Sequence, residues 1–449
     1  MKLFGTDGIR GEAGVAPLDR ATVARVGAAL VKAMPDRGGQ APRILIGRDT
    51  RESGGWIEAE LARGLTAEGA QAVSVGVIPT PGVAFLARTD GFDAGIVISA
   101  SHNPYEDNGI KIFSGRGEKL DAALESAIER LVADGGWQVD GAAPPLETDA
   151  ELGRHYVTHL LEILPSAGRL AGSRLVLDCA NGATTNVAPA LFEGLGFETH
   201  LIGAQPDGRN INLGCGSTHL DLLRRAVVDR GARLGVAFDG DGDRALFVDR
   251  QGKVVDGDAV LLIAADYLHK RNALPGNAVV ATVMSNIGLE LALRERGIEL
   301  VRAPVGDKYV MEEMQKRGVA VGGEQSGHVI FANHLFTGDG IGTALHVLRI
   351  MADTGKELDE LAAALVTYPQ VLVNVRMRER VDYLKVPAIA GVIEQVEARL
   401  SGQGRLLIRY SGTEPLLRIM LEGKNSEEIR GWACEIADAV RAAVGEGVP

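Results

Sequence analysis

The sequence predicts an α/β fold of several domains, in which doubly wound sheets are followed by a smaller α+β domain. The chain has 449 residues, which is more than a single hydrophobic core usually supports. Apolar strand-like runs alternate with segments of helical period over most of its length, as doubly wound sheets require. The hydrophobic fraction of 46% and the 58 glycines suit a folded protein with many strand-to-loop transitions.

The first α/β unit is expected over residues 1–153. Its apolar periodicity places alternating helices and strands near residues 19–34, 43–47, 55–68, 72–77 and 94–98. Pro35 is expected to end the first helix. A stretch rich in Gly and Pro between Asp134 and Pro145 predicts a loop that leads to the first domain boundary.

Three further units are expected over residues 154–256, 257–368 and 369–449. The first two of these again alternate strands with helices, and the strands are predicted near 174–178, 233–238, 279–283 and 299–302. The last unit differs, because three strands are predicted near 371–377, 405–410 and 416–421, before an amphipathic helix that carries Ile429, Ile436 and Val440. This order predicts a small α+β domain.

The charge balance excludes some classes of partner. The chain has 47 basic and 59 acidic side chains, a net charge of −12, which disfavours nucleic acid or an anionic membrane surface as a general partner. The N-terminal residues lack the apolar region of a signal peptide, and no apolar run approaches the length of a membrane span. We therefore expect a cytoplasmic protein. Three widely spaced cysteines fit reduced thiols better than disulfides or a zinc site.

The first candidate site is the polar stretch Ser101-His-Asn-Pro104, which follows the apolar run at residues 96–98. The run predicts a buried strand, and the polar residues predict a loop at its carboxyl end, where open α/β sheets carry their chemistry. A serine there can carry a group covalently if a base, a metal or an electrophilic partner activates it. The same residue types are common in turns, so a purely conformational loop is an open alternative.

The second candidate site is Asp239-Gly-Asp-Gly-Asp243, where three carboxylates alternate with glycine directly after a predicted strand. Carboxylates so close together repel one another unless a cation lies among them, and oxygen ligands favour Mg²⁺ or Ca²⁺. A solvated acidic turn is the alternative. An EF-hand is excluded because its required Gly and Glu positions hold Arg244 and Arg250. Mg²⁺ with open positions commonly takes a phosphate oxygen, and a phosphoryl group on Ser101 would offer one.

Two further loops carry polar groups suited to a phosphosugar. The stretch from Arg409 to Pro415, followed by Arg418, combines guanidinium groups, hydroxyls and a flexible glycine, which is how phosphate is commonly held. A simple hairpin turn is the alternative. The stretch from Gly323 to His328 offers a carboxylate, an amide, a hydroxyl and an imidazole that can bind sugar hydroxyls. His328 alone would fit a structural role, and Arg10 and Lys111 considered singly fit surface charges.

Together these loops resemble the α-D-phosphohexomutase superfamily across nearly the whole chain. Four stretches match in the order of that family: Ser-Ala-Ser-His-Asn-Pro at 99–104, Asp-Gly-Asp-Gly-Asp-Arg at 239–244, Gly-Glu-Gln-Ser-Gly-His at 323–328 and Ser-Gly-Thr-Glu-Pro at 411–415. The start Phe4-Gly-Thr-Asp-Gly-Ile-Arg-Gly11 and Gln325, where hexose-phosphate mutases usually have Met, resemble the branch that acts on glucosamine phosphates. The resemblance implies three similar α/β domains with mixed sheets and a smaller C-terminal α+β domain, arranged around a central cleft.

The resemblance also implies a role for each loop. Ser101 would be the phosphoserine, and its phosphoryl oxygen would join Asp239, Asp241 and Asp243 around Mg²⁺. Sugar hydroxyls would be bound by Glu324 and Ser326. The phosphate that does not react would be held by Arg409, Ser411, Gly412, Thr413 and Arg418. Arg244 and Lys111 would neutralise charge during transfer, and the candidates for moving the hydroxyl proton are Lys111, Arg10, His102 and His328.

The implied reaction converts glucosamine 6-phosphate into glucosamine 1-phosphate through glucosamine 1,6-bisphosphate, which serves as intermediate and activator. The reaction would supply the synthesis of UDP-N-acetylglucosamine and cell-wall precursors. The expected partner is thus a small phosphosugar, and a homodimer is compatible with the sequence. The alternatives are a mutase for glucose or mannose phosphates, a metal-dependent phosphosugar phosphatase and a regulator that binds phosphosugars without turnover.

Two positions depart from the pattern of the superfamily. Phosphomannomutase-like relatives have a loop of the type Lys-Thr-Gly-His before the sugar loop, whereas this chain has Val305-Gly-Asp-Lys-Tyr309. The change resembles the glucosamine branch and removes one histidine as a candidate acid or base. Tyr410 follows Arg409, where relatives frequently have Lys or Pro.

Overall fold

The computed structural model describes residues 3–5, 7–35, 38–378, 380–402, 404–411 and 416–444. These residues fall into two compact units. One unit extends to Met284 and resumes over Arg296–Ala364, and the other comprises Ser285–Glu295 and the chain from Leu365 onward. Among the described residues no helix is both long and apolar enough to cross a membrane.

The first sheet has five strands and occupies the start of the larger unit. Its elements in chain order are β1 (Ile9–Glu12), α1 (Arg20–Ala33), β2 (Arg43–Arg48), α2 (Gly54–Ala67), β3 (Gln71–Val77), α3 (Thr80–Thr89), β4 (Ala94–Ile98), β5 (Asp107–Ser114) and α4 (Ala122–Ala133). The strand order is β1-β5-β4-β2-β3. Strands β2, β3 and β4 run parallel, whereas β5 is antiparallel to both β4 and β1. Alternate strand residues such as Ile44 and Ile96 join α1, α2 and α4 in one buried core.

The second sheet repeats this plan. It is built from α5 (Ala150–Ile163), β6 (Arg174–Asp178), α6 (Ala188–Gly194), β7 (Glu198–Ile202), α7 (Asp221–Asp229), β8 (Leu234–Phe238), β9 (Ala245–Asp249) and β10 (Val254–Val255). The order is β10-β9-β8-β6-β7, in which β6, β7 and β8 are parallel and β9 returns antiparallel beside β8. All five residues of β8 are buried, as expected for a central strand covered on both faces.

The third sheet is smaller, with four strands. The chain here forms α8 (Gly257–His269), β11 (Ala278–Thr282), α9 (Ile287–Arg294), β12 (Glu299–Ala303), α10 (Asp307–Arg317), β13 (Val321–Gly323), β14 (Val329–Phe331), α11 (Gly340–Thr354) and α12 (Leu358–Ala362). The strand order is β12-β11-β13-β14, with β14 antiparallel to β13. Helix α9 belongs to the second compact unit.

The remaining elements complete the second unit. They are β15 (Gln370–Arg376), α13 (Pro387–Leu400), β16 (Arg405–Tyr410), β17 (Leu416–Glu422) and α14 (Ser426–Val444). The three strands form an antiparallel sheet of order β15-β17-β16, and α13 and α14 bury Ile393 and Ile436 against it. The predicted fold class is confirmed: three α/β sheets of mixed strand direction precede a smaller α+β domain.

Three candidate loops occupy the same place in the first three sheets. Each loop connects a strand to its antiparallel neighbour: β4 to β5, β8 to β9, and β13 to β14. The sequence predicted the strands before the serine and aspartate loops but not the return strands, which follow runs of polar residues and range from three residues in β14 to eight in β5. Because both ends of each loop are fixed in a sheet, the loop residues cannot move far.

Gly64 offers a test of the packing in the first sheet's helical layer. A Cβ atom at Gly64 in α2 would lie 1.9 Å from the carbonyl oxygen of Ala24 in α1. Backbone atoms cannot give way as a side chain can, so Gly64→Ala is expected to lower the free energy of unfolding by about 3 kcal/mol. Denaturant unfolding followed by circular dichroism measures this difference.

Gly55→Ala provides the matched control on the same helix. A Cβ atom at Gly55 meets no atom within 4 Å, so this variant is expected to be neutral or up to about 1 kcal/mol more stable through helix propensity. Equal stabilities of the two variants would contradict the close approach of α1 and α2.

Candidate active site

Ser101 lies at the first turn beyond β4 in a left-handed backbone conformation, with φ of 52°. Its side chain is buried, and Oγ donates a hydrogen bond of 2.6 Å to Asp239 Oδ2 from the second sheet. His102 Nδ1 lies 3.3 Å from the same oxygen. The predicted nucleophile and the predicted metal loop are therefore in direct contact.

Asp239, Asp241 and Asp243 converge at the end of β8, as their spacing predicted. All three are buried, and one carboxylate oxygen of each lies within 4.8 Å of the others. Burial raises the pKa of Asp239 well above its ordinary value, and the neighbouring carboxylates of Asp241 and Asp243 add to this effect. Repulsion of this kind favours a bound cation.

The arrangement fits a hard divalent cation. Asp241 Oδ1 is buried, and no donor among the described residues hydrogen-bonds to it. A buried carboxylate oxygen in that state is costly unless it coordinates an ion. Three carboxylates supply the oxygen ligands that Mg²⁺ prefers, so the side chains present can hold such an ion.

Lys111 extends from β5 into the acidic cluster. Its Nζ lies 2.8 Å from Asp241 Oδ2, 3.0 Å from Asp7 Oδ2 and 3.4 Å from Asp243 Oδ2. Burial alone would lower the pKa of Lys111, but the three carboxylates hold it well above its ordinary value. Lys111 is therefore a fixed positive charge, which suits charge neutralisation better than proton abstraction.

Asp7 contacts two candidate site residues, although no motif in the sequence singled it out. It accepts hydrogen bonds from Arg10 Nη2 and, at 2.7 Å, from Lys119 Nζ, and it forms an ion pair with Lys111. Burial would raise the pKa of Asp7, but Lys111, Lys119 and Arg10 hold it well below its ordinary value. Asp7 thus fixes the positions of Arg10 and Lys111, two predicted site residues. Arg10 also donates a hydrogen bond to the Ala100 carbonyl at 3.1 Å.

Lys119 links this charge network to α10, which belongs to the part of the chain that forms the third sheet. Its Nζ lies 2.5 Å from Oδ2 of Asp307, the first residue of α10. Asp307 belongs to the Val305-Gly-Asp-Lys-Tyr309 stretch, where the resemblance indicated a missing histidine. The structure places a carboxylate there, paired to a lysine that also holds Asp7. No signal within a single sequence links residues 7, 119 and 307.

The two candidate histidines differ in setting. Half-buried His102 has a pKa lowered by burial and by the nearby Arg244 and Arg10, so its imidazole is neutral at pH 7 and able to accept a proton. His328 is buried, with Nδ1 at 3.5 Å from Asp243 Oδ1. When no cation is bound, the carboxylate of Asp243 outweighs desolvation and raises the pKa of His328 to about 9.

A hydrogen bond to His328 opposes that shift. The Gly338 N–H donates to His328 Nε2 at 3.1 Å, which requires an unprotonated Nε2, and a cation at Asp243 would weaken the pull of the carboxylate. We assign the neutral tautomer with its proton on Nδ1, because the backbone N–H is a fixed donor. Both ring nitrogens then face protein groups, and this geometry favours a supporting role for His328 beside Asp243.

Arg244 follows the acidic loop directly. Its backbone N–H donates to Asp239 Oδ1 at 3.1 Å, and its Nε lies 3.7 Å from Asp243 Oδ1. Burial would lower the pKa of Arg244, but the carboxylates of Asp243 and Asp239 outweigh burial and raise the pKa above its ordinary value. The guanidinium is therefore a permanent charge. It can face an incoming phosphoryl group.

The predicted sugar loop is folded around Glu324. Glu324 Oε1 accepts a hydrogen bond from the Gly306 N–H at 3.1 Å, and Oε2 accepts one from Ser326 Oγ at 3.3 Å. Both side chains are half-buried. Gln325, the residue that pointed to the glucosamine branch, donates from Nε2 to Asp256 Oδ2 at 3.1 Å. Its amide therefore braces the loop.

The predicted phosphate residues lie in the second compact unit. Arg409 and Arg418 are directly opposite one another on β16 and β17, so the two guanidinium groups share one face of the sheet. Ser411 is buried, and its carbonyl accepts a hydrogen bond from Arg380 at 2.7 Å. Gly412 and Thr413 lie outside the described residues. Two arginines side by side can share one phosphate.

Matches to known families cover the chain in four segments. Models of phosphoglucomutase/phosphomannomutase match over residues 1–138 (alpha/beta/alpha domain I), 154–252 (domain II), 256–368 (domain III) and 372–439 (C-terminal domain). A phosphoglucosamine mutase of Solibacter usitatus is 52% identical over 450 residues, covering 99% of both chains. One from Geotalea daltonii is 48% identical over 451 residues, covering 99% of this chain and 98% of the relative.

Solved structures show the same fold. A phosphoglucomutase/phosphomannomutase family protein from Burkholderia thailandensis superimposes with a TM-score of 0.79 at 25% identity, covering 98% of this chain and 97% of the other. The Aspergillus fumigatus N-acetylphosphoglucosamine mutase, solved with GlcNAc-6P and magnesium, gives a TM-score of 0.65 at 19% identity, covering 98% and 96%.

Proposed function

This chain belongs to the phosphoglucosamine mutases of the phosphoglucomutase/phosphomannomutase family, and on that premise we propose that it isomerises glucosamine 6-phosphate and glucosamine 1-phosphate. The observation that carries this proposal is the contact between Ser101 Oγ and Asp239 within a buried acidic triad. The contact joins a nucleophile to the site that would hold Mg²⁺. We also propose that the product supplies UDP-N-acetylglucosamine and cell-wall precursor synthesis.

In the proposed first step, phosphorylated Ser101 gives its phosphoryl group to O1 of glucosamine 6-phosphate. The bond between phosphorus and Ser101 Oγ breaks as the bond to the sugar oxygen forms, and the proton of the sugar hydroxyl is transferred to the serine oxygen. The product is glucosamine 1,6-bisphosphate. Because the neutral imidazole of His102 lies 3.3 Å from Ser101 Oγ, His102 is our first candidate for moving that proton.

In the second step the bisphosphate presents its other end, and the bond between phosphorus and the sugar O6 breaks as Ser101 Oγ takes the 6-phosphoryl group. The serine proton is transferred to O6, leaving glucosamine 1-phosphate. When bound, Mg²⁺ would supply charge neutralisation at the transferring phosphoryl oxygens. Lys111 and Arg244 add fixed positive charge beside the acidic triad. Released bisphosphate would also rephosphorylate a Ser101 that has lost its phosphate, and so it acts as an activator.

Sugar and phosphate recognition complete the proposal. Glu324 and Ser326 would bind sugar hydroxyls, while Arg409, Ser411, Gly412, Thr413 and Arg418 would hold the phosphate at the end that does not react. Arg10 remains a candidate in proton transfer, although its contacts with Asp7 and Ala100 favour a fixed charge. We also propose domain boundaries near residues 153, 256 and 368, a homodimer and a cytoplasmic location.

The rival functions are separable by assay. Purified protein is incubated with Mg²⁺, a trace of glucosamine 1,6-bisphosphate and either glucosamine, glucose or mannose 6-phosphate, and formation of the 1-phosphate is measured. We expect the highest kcat/KM with glucosamine 6-phosphate, because the relatives from Solibacter usitatus and Geotalea daltonii, 52% and 48% identical to this chain, are both phosphoglucosamine mutases. Higher kcat/KM with glucose or mannose phosphate would overturn the substrate assignment. Steady release of inorganic phosphate would indicate a phosphatase, and binding without turnover a regulator.

A further inference from the structure

Among the described residues, Arg51 has the largest fully buried side chain, and that side chain carries a charge. It follows β2 and lies beneath the loop that carries Ser101. The guanidinium group has five N–H donors, and each has an acceptor. Nε donates to Asp49 Oδ2 at 2.9 Å, and the other four reach the carbonyl oxygens of Ser101, Asn103, Pro104 and Asp107.

The same guanidinium controls both peptide groups of Ser101. It donates directly to the Ser101 carbonyl at 3.0 Å. On the other side, the Ser101 N–H donates to Ser99 Oγ at 2.9 Å, and Ser99 donates to the Asp49 carboxylate that Arg51 holds. A left-handed serine costs about 1 kcal/mol or more relative to ordinary backbone. These contacts hold that conformation at both ends.

The second sheet's segment adds a further donor. Asn212 Nδ2 donates to the Ser101 carbonyl at 2.9 Å and to the Asn103 carbonyl at 3.0 Å. The backbone at Gly240 packs so closely that a Cβ atom there would lie 2.4 Å from the Ser101 oxygen. The peptide of the nucleophile is thus enclosed by Arg51, Asn212 and the acidic loop.

We propose that Arg51, assisted by Asn212, is a positioning residue that fixes the backbone of Ser101 so that Oγ points at the acidic triad. Arg51 does not touch the reacting atoms. Its effect is on orientation, and a displacement of about 1 Å in a reacting group can cost about 100-fold in rate. Lysine cannot replace it, since an ammonium has three donors on a flexible stem and cannot reproduce five donors in a plane.

The test compares Arg51→Lys with Arg48→Lys, a matched control. Arg48 ends the same strand, but its guanidinium is partly exposed, pairs with Glu58 and donates to the Asp49 carbonyl, with no hydrogen bond to the described residues 99–107. The kinetic part rests on the proposed function: kcat for Arg51→Lys should fall about 100-fold while KM stays within about threefold. Arg48→Lys should keep both values near those of the wild type.

Hydrogen exchange provides a readout that does not depend on turnover. Amide exchange in the peptide covering residues 99–107 should accelerate in Arg51→Lys, with the rest of the first sheet unchanged. Because the buried charge could also be needed for folding, Asn212→Gly is the second variant. Glycine keeps the positive φ of 60° at that position and removes the amide donor together with the rest of the side chain, and kcat should fall by about 10-fold.

The outcomes separate the two proposals. Wild-type protein without mutase activity, together with faster exchange of the loop in Arg51→Lys, would refute the proposed function and support the positioning role. An Arg51→Lys enzyme with kcat within threefold of the wild type would overturn the positioning role, as would faster exchange throughout the first sheet. If Arg51→Lys does not fold, the test rests on Asn212→Gly. An Asn212→Gly enzyme with the kcat of the wild type and unchanged amide exchange in residues 99–107 would overturn the positioning role.

Discussion

Ser101→Ala is expected to abolish isomerisation, with kcat lowered by about four orders of magnitude or more, as is found when a nucleophile is removed. The variant keeps the backbone but removes the oxygen that contacts Asp239 at 2.6 Å. One lost hydrogen bond should lower stability by only about 1 kcal/mol. Coupled assay of glucosamine 1-phosphate formation and intact mass spectrometry after incubation with the bisphosphate are the measurements. The wild type should gain one phosphoryl group, and the variant none.

Ser114→Ala is the matched control for this experiment. Ser114 ends β5 in the same sheet, and its Oγ accepts a hydrogen bond from the Arg116 N–H at 3.3 Å, outside the site. This variant should be phosphorylated and active like the wild type. Undiminished turnover in Ser101→Ala, or a phosphoryl group still attached to it, would refute the covalent mechanism.

Asp239→Asn has the second largest expected effect. Loss of a residue that only orients a metal ligand costs about 10- to 100-fold in activity, so removal of a predicted ligand should exceed about 100-fold. In the absence of metal the variant should be at least as stable as the wild type, because it removes one of three repelling carboxylates. The mutase assay measures the loss of activity, and thermal unfolding with and without Mg²⁺ measures the stability and its response to the metal. Mg²⁺ should raise the midpoint of the wild type and leave that of the variant nearly unchanged.

Asp229→Asn controls for the change in net charge. Asp229 is the exposed last residue of α7, and its variant should respond to Mg²⁺ as the wild type does. An Asp239→Asn protein that is stabilised by Mg²⁺ to the wild-type extent would contradict the assignment of the metal site. A large loss of stability without metal would contradict the argument from repulsion.

The sequence predicted the fold class because periodicity and chain length are local properties. Helix α1 was expected over 19–34 and spans Arg20–Ala33, with Asp19 as its N-cap accepting from the Thr22 N–H. Strands β2 and β3 of the first sheet were also placed to within about one residue. Among the elements missed are helix α13 and the antiparallel strands β1, β5, β9, β10 and β14. Their short or mixed patterns acquire meaning only from the neighbouring strand that they pair with.

The candidate site was predictable where its residues are neighbours in sequence. The triad at 239–243 and the loop from Ser101 each occupy a few consecutive positions. The charge network of Asp7, Lys119 and Asp307 joins three distant segments, and no local pattern marks it. The support of Ser101 by Arg51 was missed for the same reason, since an arginine after a strand ordinarily indicates a surface charge.

The order in which the chain is synthesised has a consequence for Lys111. Its partners Asp241 and Asp243 are 130 and 132 residues further along the chain, a delay of about 7 to 26 s at the usual rate of synthesis. During that interval Asp7 is the only one of its three contacting carboxylates that exists. The second sheet's segment therefore completes the charge balance of the first, and a fragment that ends near residue 153 would retain the imbalance permanently.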